Sequence, residues 1–294
     1  MKIGVTGASG LIGSALLPVL LEAGHEAVRF VRSAADAPGE RRWDPASRRL
    51  EPQAVEDLDA VVHLAGVGVA DSRWTPAYRK QILDSRVDGT SAVSQAVATA
   101  GTPVLLSASA IGFYGDTGDR LTDESGPRGA GFLSDVCAQW EAATAPAEAA
   151  GVRVAHLRTG IVITSRGGAF AKQLPIFKAG LGAPLGSGRQ WWSWISLRDE
   201  VAAIVHLLAA DVRGPVNLVG PSPLTNREAT KVIGQVLHRP TLPVPIPGFV
   251  LKAALGPFAQ EGVLIGQRLV PRGLEASGFT FADRDLASAV RAGL

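Results

Sequence analysis

The sequence predicts an α/β fold: a doubly wound parallel sheet with helices on both faces, and a smaller C-terminal substrate lobe at one edge. Three observations predict it. Short apolar runs (residues 3–6, 26–31, 59–66, 103–109, 152–158 and 216–219) alternate with longer helical stretches, the pattern of repeated β-α units. The first run passes through a glycine-spaced turn directly into a helical stretch over residues 11–23. The 294 residues, 46% hydrophobic and 19% charged, suit one such domain with an appendage better than two independent domains. On this basis residues 1–164 form the main domain, its sheet completed by about residues 195–220. Residues 165–194 and 221–294 form the smaller lobe, with a helical extension at its end.

The turn after the first strand carries Gly7, Gly10 and Gly13 in the spacing G-x-x-G-x-x-G. Gly7 permits a sharp exit from the strand, Gly10 permits close approach of backbone to a pyrophosphate, and Gly13 permits close packing of helix on strand. Ser9, Leu11 and Ile12 lie between them, where N–H groups at the helix start face the phosphates. In its strand–turn–helix context the spacing predicts a Rossmann-type dinucleotide site.

The second strand ends at Arg32-Ser33. A site for NAD needs a carboxylate about twenty residues past the glycines, to hydrogen-bond the ribose 2′-hydroxyl. None stands there. A guanidinium would instead pair with a 2′-phosphate, so Arg32 points to NADP(H), its alternative being a solvated surface arginine.

The run 59–66 ends in Leu64-Ala65-Gly66, small side chains that leave room for a ribose at the carboxyl edge of the sheet, and His63 reads as a core histidine. Residues 75–100 form a long helix preceded by Trp74, which is either a wall of the substrate pocket or a loop anchor. After the strand 152–158, the turn Thr159-Gly160-Ile161-Val162 is placed under the nicotinamide end, offering backbone groups from Gly160 or Ile161. A glycine-rich excursion over 167–193 ends in Gln190-Trp191-Trp192-Ser193-Trp194. These tryptophans either close a lid over a ligand, with Gln190 and Trp194 touching substrate, or glue the small lobe to the main domain. Asp199 is placed to bond back to the Ser196 N–H, and Thr225 with Glu228 forms a capping box. Pro-rich residues 240–247 connect to the helical extension.

Composition excludes several classes. A net charge of +2 offers no surface for nucleic acid or anionic membrane. Cys137 is the single cysteine, which rules out an intrachain disulfide and a cysteine metal cage, and no metal is expected. No apolar run spans a bilayer and the first strand begins at the N-terminus, so the expectation is a cytoplasmic protein, monomer or homodimer.

With Thr6 the turn reads T-G-x-x-G-x-x-G, which resembles the extended short-chain dehydrogenase/reductase superfamily. The resemblance implies that the 75–100 helix runs beside the cofactor, so that Gln81 and Arg86 reach ribose or phosphate, with a surface salt bridge the alternative for Arg86. It also implies that Ser109, at the end of the 103–109 strand and before Tyr114-Gly115, orients substrate, with Ser107 a weaker match. The superfamily's Y-x-x-x-K pair is missing. Aligning Trp140-Glu141 with the family's helix puts Leu133 and Cys137 at its positions, and neither supplies a phenol or an ammonium. The stretches Ser85-Arg86-Val87-x-Gly89-Thr90, Ser109-Ala110-x-Gly112-x-Tyr114-Gly115, Arg158-Thr159-Gly160-Ile161-Val162 and Gly186-Ser187-Gly188-Arg189-Gln190-Trp191-Trp192-Ser193-Trp194-Ile195 resemble one branch. Its epimerase-like proteins lack that pair and are sometimes named after a putative cell-division inhibitor. The match covers the whole chain. The expectation is an NADP-dependent oxidoreductase or epimerase-like enzyme on a small molecule, with Ser109 or Tyr114 as proton donor. The alternative is a non-catalytic NADP(H)-binding sensor or structural protein.

Overall fold

The computed structural model describes the whole chain, Met1–Leu294. Strand β1 (Lys2–Thr6) leads into helix α1 (Leu11–Glu22), and β2 (Glu26–Val31) is followed by a short β3 (Glu40–Arg42). Next come β4 (Ala60–His63), the long α2 (Pro76–Ala100) and β5 (Val104–Ala110). A 3₁₀ turn over Ile111–Tyr114 precedes α3 (Phe132–Ala142), α4 (Ala145–Ala149) and β6 (Arg153–Thr159). The chain then leaves the main sheet through β7 (Ile161–Ile163), α5 (Gly168–Lys178), β8 (Trp191–Trp192) and β9 (Trp194–Ser196). It returns with α6 (Leu197–Ala209) and β10 (Gly214–Leu218), and leaves again with β11 (Leu224–Thr225) and α7 (Asn226–Val236). The C-terminal stretch holds α8 (Gly248–Leu255), α9 (Phe258–Gly262), α10 (Arg272–Ala276) and α11 (Leu286–Gly293).

The main sheet has seven strands in the order β10-β6-β5-β4-β1-β2-β3, every pair parallel. This is the Rossmann-type doubly wound topology. The order reverses between β1 and β4, and such a switch point opens a crevice at the carboxyl ends of the strands. Two buried clusters cover the two faces of the sheet. One joins α1 and α6 to Ile3, Val5, Val62, Leu106 and Leu157; the other joins α2 to Val28, Val61, Leu105 and Val154. A third cluster, built on α5, α7, α11 and the two short two-stranded ladders, is the core of the smaller lobe.

Local chemistry sets the boundaries. Thr75 accepts from the Tyr78 N–H and Pro76 opens α2, while Gly101 ends it at φ 75°, a left-handed conformation that glycine adopts without strain. Thr225 and Glu228 make the full capping box of α7. Asp199 departs from expectation. Ser196 does cap α6 by accepting from the Asp199 N–H, but the Asp199 carboxylate does not return to Ser196. It accepts from the N–H groups of Ala282 and Asp283, 2.9 Å each, and so pins the C-terminal stretch to the main domain.

Candidate active site

At the switch point the turn after β1 is bare backbone. Gly7 adopts φ 66°, and a side-chain carbon there would lie 2.8–2.9 Å from the backbone of Leu64 and Ala65. At Gly13 the added carbon would lie 2.3 Å from the Gly7 carbonyl oxygen, so helix and turn touch as closely as glycine allows. Gly10 differs: only the Gly7 oxygen, 3.1 Å away, lies within reach. The helix start has no side-chain cap, and the N–H groups of Leu11, Ile12 and Gly13 donate to no protein acceptor. Ser9 and Gly10 are exposed above them. Free N–H groups at the positive end of a helix favour an anion.

Arg32 stands exposed just past β2, with no acidic partner. On the other side of the turn, Leu64 and Ala65 line the crevice half-buried, and Gly66 is open. The loop beyond is held by α2: the Val67 N–H donates to Ser85 Oγ (3.2 Å) and the Tyr78 hydroxyl to the Gly68 carbonyl (2.6 Å). The residues thus fit a dinucleotide carrying a 2′-phosphate. They supply a phosphate cradle at β1, a free cation over β2, and small residues over β4.

The edge of β5 and β6 is built differently. Ser109 and Arg158 are register partners. The Ser109 hydroxyl donates to Glu141 Oε1 on α3 at 2.6 Å, and Arg158 donates to both Glu141 oxygens, Nε at 2.8 Å and Nη2 at 2.9 Å. Arg158 Nη1 also donates to the Tyr114 hydroxyl (2.8 Å), which donates in turn to Asn217 Oδ1 (2.7 Å). Phe113 covers the Arg158 guanidinium at 3.5 Å. A bidentate, enclosed pair of this kind holds planar geometry firmly. Burial pushes the Tyr114 phenol up to about 12, outweighing the pull of Arg158. Burial likewise pushes the Cys137 thiol up to about 12.

Residues 3–220 match the model of the NAD dependent epimerase/dehydratase family, and residues 246–292 match a domain of unknown function, DUF1731. The chain belongs to the NAD dependent epimerase/dehydratase family. It is 47% identical over 289 residues to the epimerase family protein Mb2239 of Mycobacterium bovis, covering 98% of this chain and 96% of that one. To the human epimerase family protein SDR39U1 it is 31% identical over 298 residues, 99% of both chains. The crystal structure of human SDR39U1 with NADPH matches with a TM-score of 0.90 at 30% identity, covering 100% of this chain and 99% of that one. The UDP-N-acetylglucosamine 4-epimerase of Bacillus cereus, 18% identical with a TM-score of 0.78, shares the fold. These relatives place the chain in the atypical epimerase-family branch that its motifs resemble.

Within this family member, several residues singled out in the sequence lie elsewhere than expected. Trp194 is wholly buried in the small-lobe core, its indole N–H donating to the Ser222 carbonyl, so it cannot form a lid. Gln190 is also enclosed and spends its amide on the carbonyls of Leu185 and Val263. The tryptophans glue the lobe. Gln81 is exposed, five residues from Arg86 and turned away from it around the helix. Ile161 gives its N–H to the Ser193 carbonyl and Gly160 gives its own to Leu218, which leaves neither N–H for a cofactor. Arg86 forms no surface salt bridge; it is buried. Tyr114 is enclosed with its hydroxyl fully engaged, the geometry of a brace. His63 is a core residue, its Nδ1 2.7 Å from Thr6 Oγ1, and burial lowers it to about 4.

Three participants escaped the sequence. Glu141 served there only as an alignment mark, yet it is the hub of the Ser109 network. Phe258, from the C-terminal stretch, packs on Trp74 (5.5 Å), which packs on Phe132 (5.1 Å); Trp74 is thus a loop anchor, its N–H on the Val69 carbonyl. Glu261 accepts from the Leu133 N–H at 2.8 Å, at the start of α3. Only the match of Trp140-Glu141 and Arg158 to separate motifs hinted at any of these contacts, because the partners lie far apart in sequence.

Proposed function

We propose that the protein is an NADP(H)-dependent oxidoreductase or epimerase-like enzyme acting on a small molecule without the tyrosine–lysine pair. The observation that carries the cofactor is the bare glycine turn, with free N–H groups on Leu11, Ile12 and Gly13, joined to an unpaired Arg32 over β2. NADPH bound to human SDR39U1 supports the same choice. Bound NADP(H) supplies or takes the hydride. The chain's own part is to hold a substrate oxygen near Ser109, whose oxygen accepts a proton from a substrate alcohol as its own hydroxyl proton passes to Glu141. Arg158 keeps Glu141 oriented throughout. Losing the phenol and ammonium makes this weak acid–base machinery, so turnover is slow or restricted to substrates that need little acid help.

A non-catalytic NADP(H)-binding role is the second reading, favoured by Leu133 and Cys137 at the positions of the missing pair. Two measurements decide. In calorimetric titrations, NADPH should bind more tightly than NADH, and Arg32→Ala should weaken NADPH by about ten- to a hundredfold, the loss of one charge-assisted contact of roughly 1.5–3 kcal/mol. Equal NADPH affinity in the two proteins overturns the 2′-phosphate assignment. A metabolite panel with NADPH absorbance then separates enzyme from sensor: turnover supports the first reading, and its complete absence moves the conclusion to the second.

A further inference from the structure

The exposed apolar surface of the protein is gathered on the smaller lobe. Of the eleven large apolar side chains that stand exposed, seven fall within residues 176–181 and 242–255. The chain brings these two stretches side by side. The Leu242 N–H donates to the Gly182 carbonyl (2.7 Å), Ile246 to Pro184 (2.8 Å) and Gly186 back to Ile246 (2.9 Å), and α8 follows directly. Leu181, Leu242 and Val244 thus lie on neighbouring segments with Phe249 and Val250 of α8. Phe249 is 75% exposed and Val244 71%, so neither is a core side chain that merely reaches the surface. Pro240, Pro243, Pro245 and Pro247 fix φ along the connector, which leaves these side chains little backbone freedom to lose on binding. Apolar side chains concentrated in this way mark a contact surface.

Charge identifies the partner. Residues 165–190 and 229–260 together hold seven lysines and arginines and no aspartate or glutamate. Among the seven only Lys172 makes an ion pair, to Asp71 at 3.5 Å. Lys178, Arg239 and Lys252 stand exposed on the same segments as the apolar side chains. The net charge of +2, which by itself argues against an anionic membrane, is therefore an average over a cationic face and a net negative remainder. A second copy suits this face badly, because a two-fold contact would set its cations against themselves. Nucleic acid would meet the cations but leave Val244 and Phe249 without apolar cover. An anionic bilayer answers both features: its acyl boundary takes the apolar side chains, its headgroups take the cations, and its field turns the negative remainder away. We propose that this face docks the protein on an anionic lipid surface. Val244 and Phe249 enter the interface, and Lys178, Arg239 and Lys252 meet the headgroups.

Sedimentation with large vesicles decides it. At low ionic strength the full-length protein should pellet with vesicles of equal parts phosphatidylglycerol and phosphatidylcholine, and stay in solution with phosphatidylcholine alone. Salt at about 0.5 M, where screening acts within a few ångströms, should release most of it. The pair Val244→Ser and Phe249→Ser removes the apolar contact, and the pair Lys178→Glu and Lys252→Glu reverses the charge. Each pair should weaken partition by about tenfold or more. All four side chains are exposed, so melting temperatures should match wild type, and if one pair fails to fold the other carries the test. Leu121→Ser, which removes an exposed apolar side chain elsewhere, should bind as wild type does. No binding to the anionic vesicles overturns the proposal, as does equal binding to neutral ones or equal binding by wild type and both paired variants. A wild-type dimer that the serine pair turns into a monomer, with vesicle binding unchanged, gives the face to a second copy and overturns the proposal as well.

Discussion

The two ends of the crevice share one sheet edge but are built on opposite plans. At the phosphate end, β1 and α1 present backbone and almost no side chain: three glycines, uncapped N–H groups, and one solvent-facing arginine. At the reaction end, β5, β6 and α3 present a packed network in which Ser109, Glu141, Arg158, Tyr114 and Asn217 satisfy one another. The first end is unfinished until an anion arrives. The second is nearly complete without a ligand. On the proposed function, phosphate recognition rests on shape and helix electrostatics, and the proposed chemistry rests on a rigid frame with few free groups.

The sharpest way to break the comparison is Gly10→Val. Only one protein atom lies close to the added carbon, so the variant should fold, with its melting temperature within a few degrees of wild type. The side chain would fill the space over the free N–H groups, and NADPH affinity should fall more than about a hundredfold, roughly 3 kcal/mol. Thermal stabilisation by NADPH is the readout; stabilisation equal to wild type would remove the turn from the site. Gly13→Val is the contrasting control. Its added carbon meets the Gly7 oxygen at 2.3 Å, and it should lose fold and binding together.

At the other end, Glu141→Ala should act on stability first. It leaves the enclosed Arg158 charge without its partner, and breaking a buried pair in this way removes about 3–5 kcal/mol. Urea unfolding measures it. A loss under about 1 kcal/mol would show that the network is looser than its geometry states.

The same contrast decides what could be read from the chain. The phosphate end is local: thirteen consecutive residues carry strand, turn and helix start, so spacing alone locates Gly7, Gly10 and Gly13. The sheet was legible for the same reason, because each buried strand is a contiguous apolar run; the short, half-exposed β3 with its Glu-Arg-Arg sequence was not. Glu141 reaches Ser109 across 32 residues, and Phe258 reaches Trp74 through the C-terminal stretch, so no spacing encodes them. Trp194 and Gln190 misled because an aromatic run on a glycine-rich excursion looks alike whether it faces a ligand or a lobe core. Asp199 misled because a side chain one turn into a helix can bond backward or across, and only the position of residues 282–283 decides.

Beneath both ends, α6 carries a carboxyl that makes the frame sensitive to pH. Glu200 is fully buried; its Oε1 accepts from Thr159 (2.8 Å), Oε2 has no partner, and burial raises it to about 8 from an ordinary 4.5. Between those values the native state holds a proton that the unfolded chain has released, so stability falls as pH rises through this window. From pH 5 to pH 8 the contribution should shrink by on the order of 3 kcal/mol. Glu200→Gln, which stays neutral, should flatten that slope in urea titrations at several pH values. An unchanged slope would place its cause elsewhere.

The smallest effects test whether the reaction end works or merely stands. Tyr114 donates to Asn217 and accepts from Arg158, with its phenol pushed to about 12, so it has no readily given proton. Tyr114→Phe should therefore lower stability by about 1–2 kcal/mol, through the Asn217 oxygen left without this donor and Arg158 Nη1 left with the Glu124 carbonyl alone, and change kcat/KM by less than about threefold. Ser109 is 4% exposed and bonded to Glu141, the arrangement of a hydroxyl that passes a proton on. Ser109→Ala leaves Arg158 and Glu141 paired, so its effect on stability should be about 1 kcal/mol or less. On any substrate that turns over, it should lower kcat/KM at least tenfold, the modest end of general acid–base contributions and in keeping with a weak relay. The comparison between the two variants carries the argument. A rate loss in Ser109→Ala alone assigns the proton to the serine. An equal loss in both would mean that the network acts through rigidity, and full kcat/KM in Ser109→Ala would remove the serine from the chemistry.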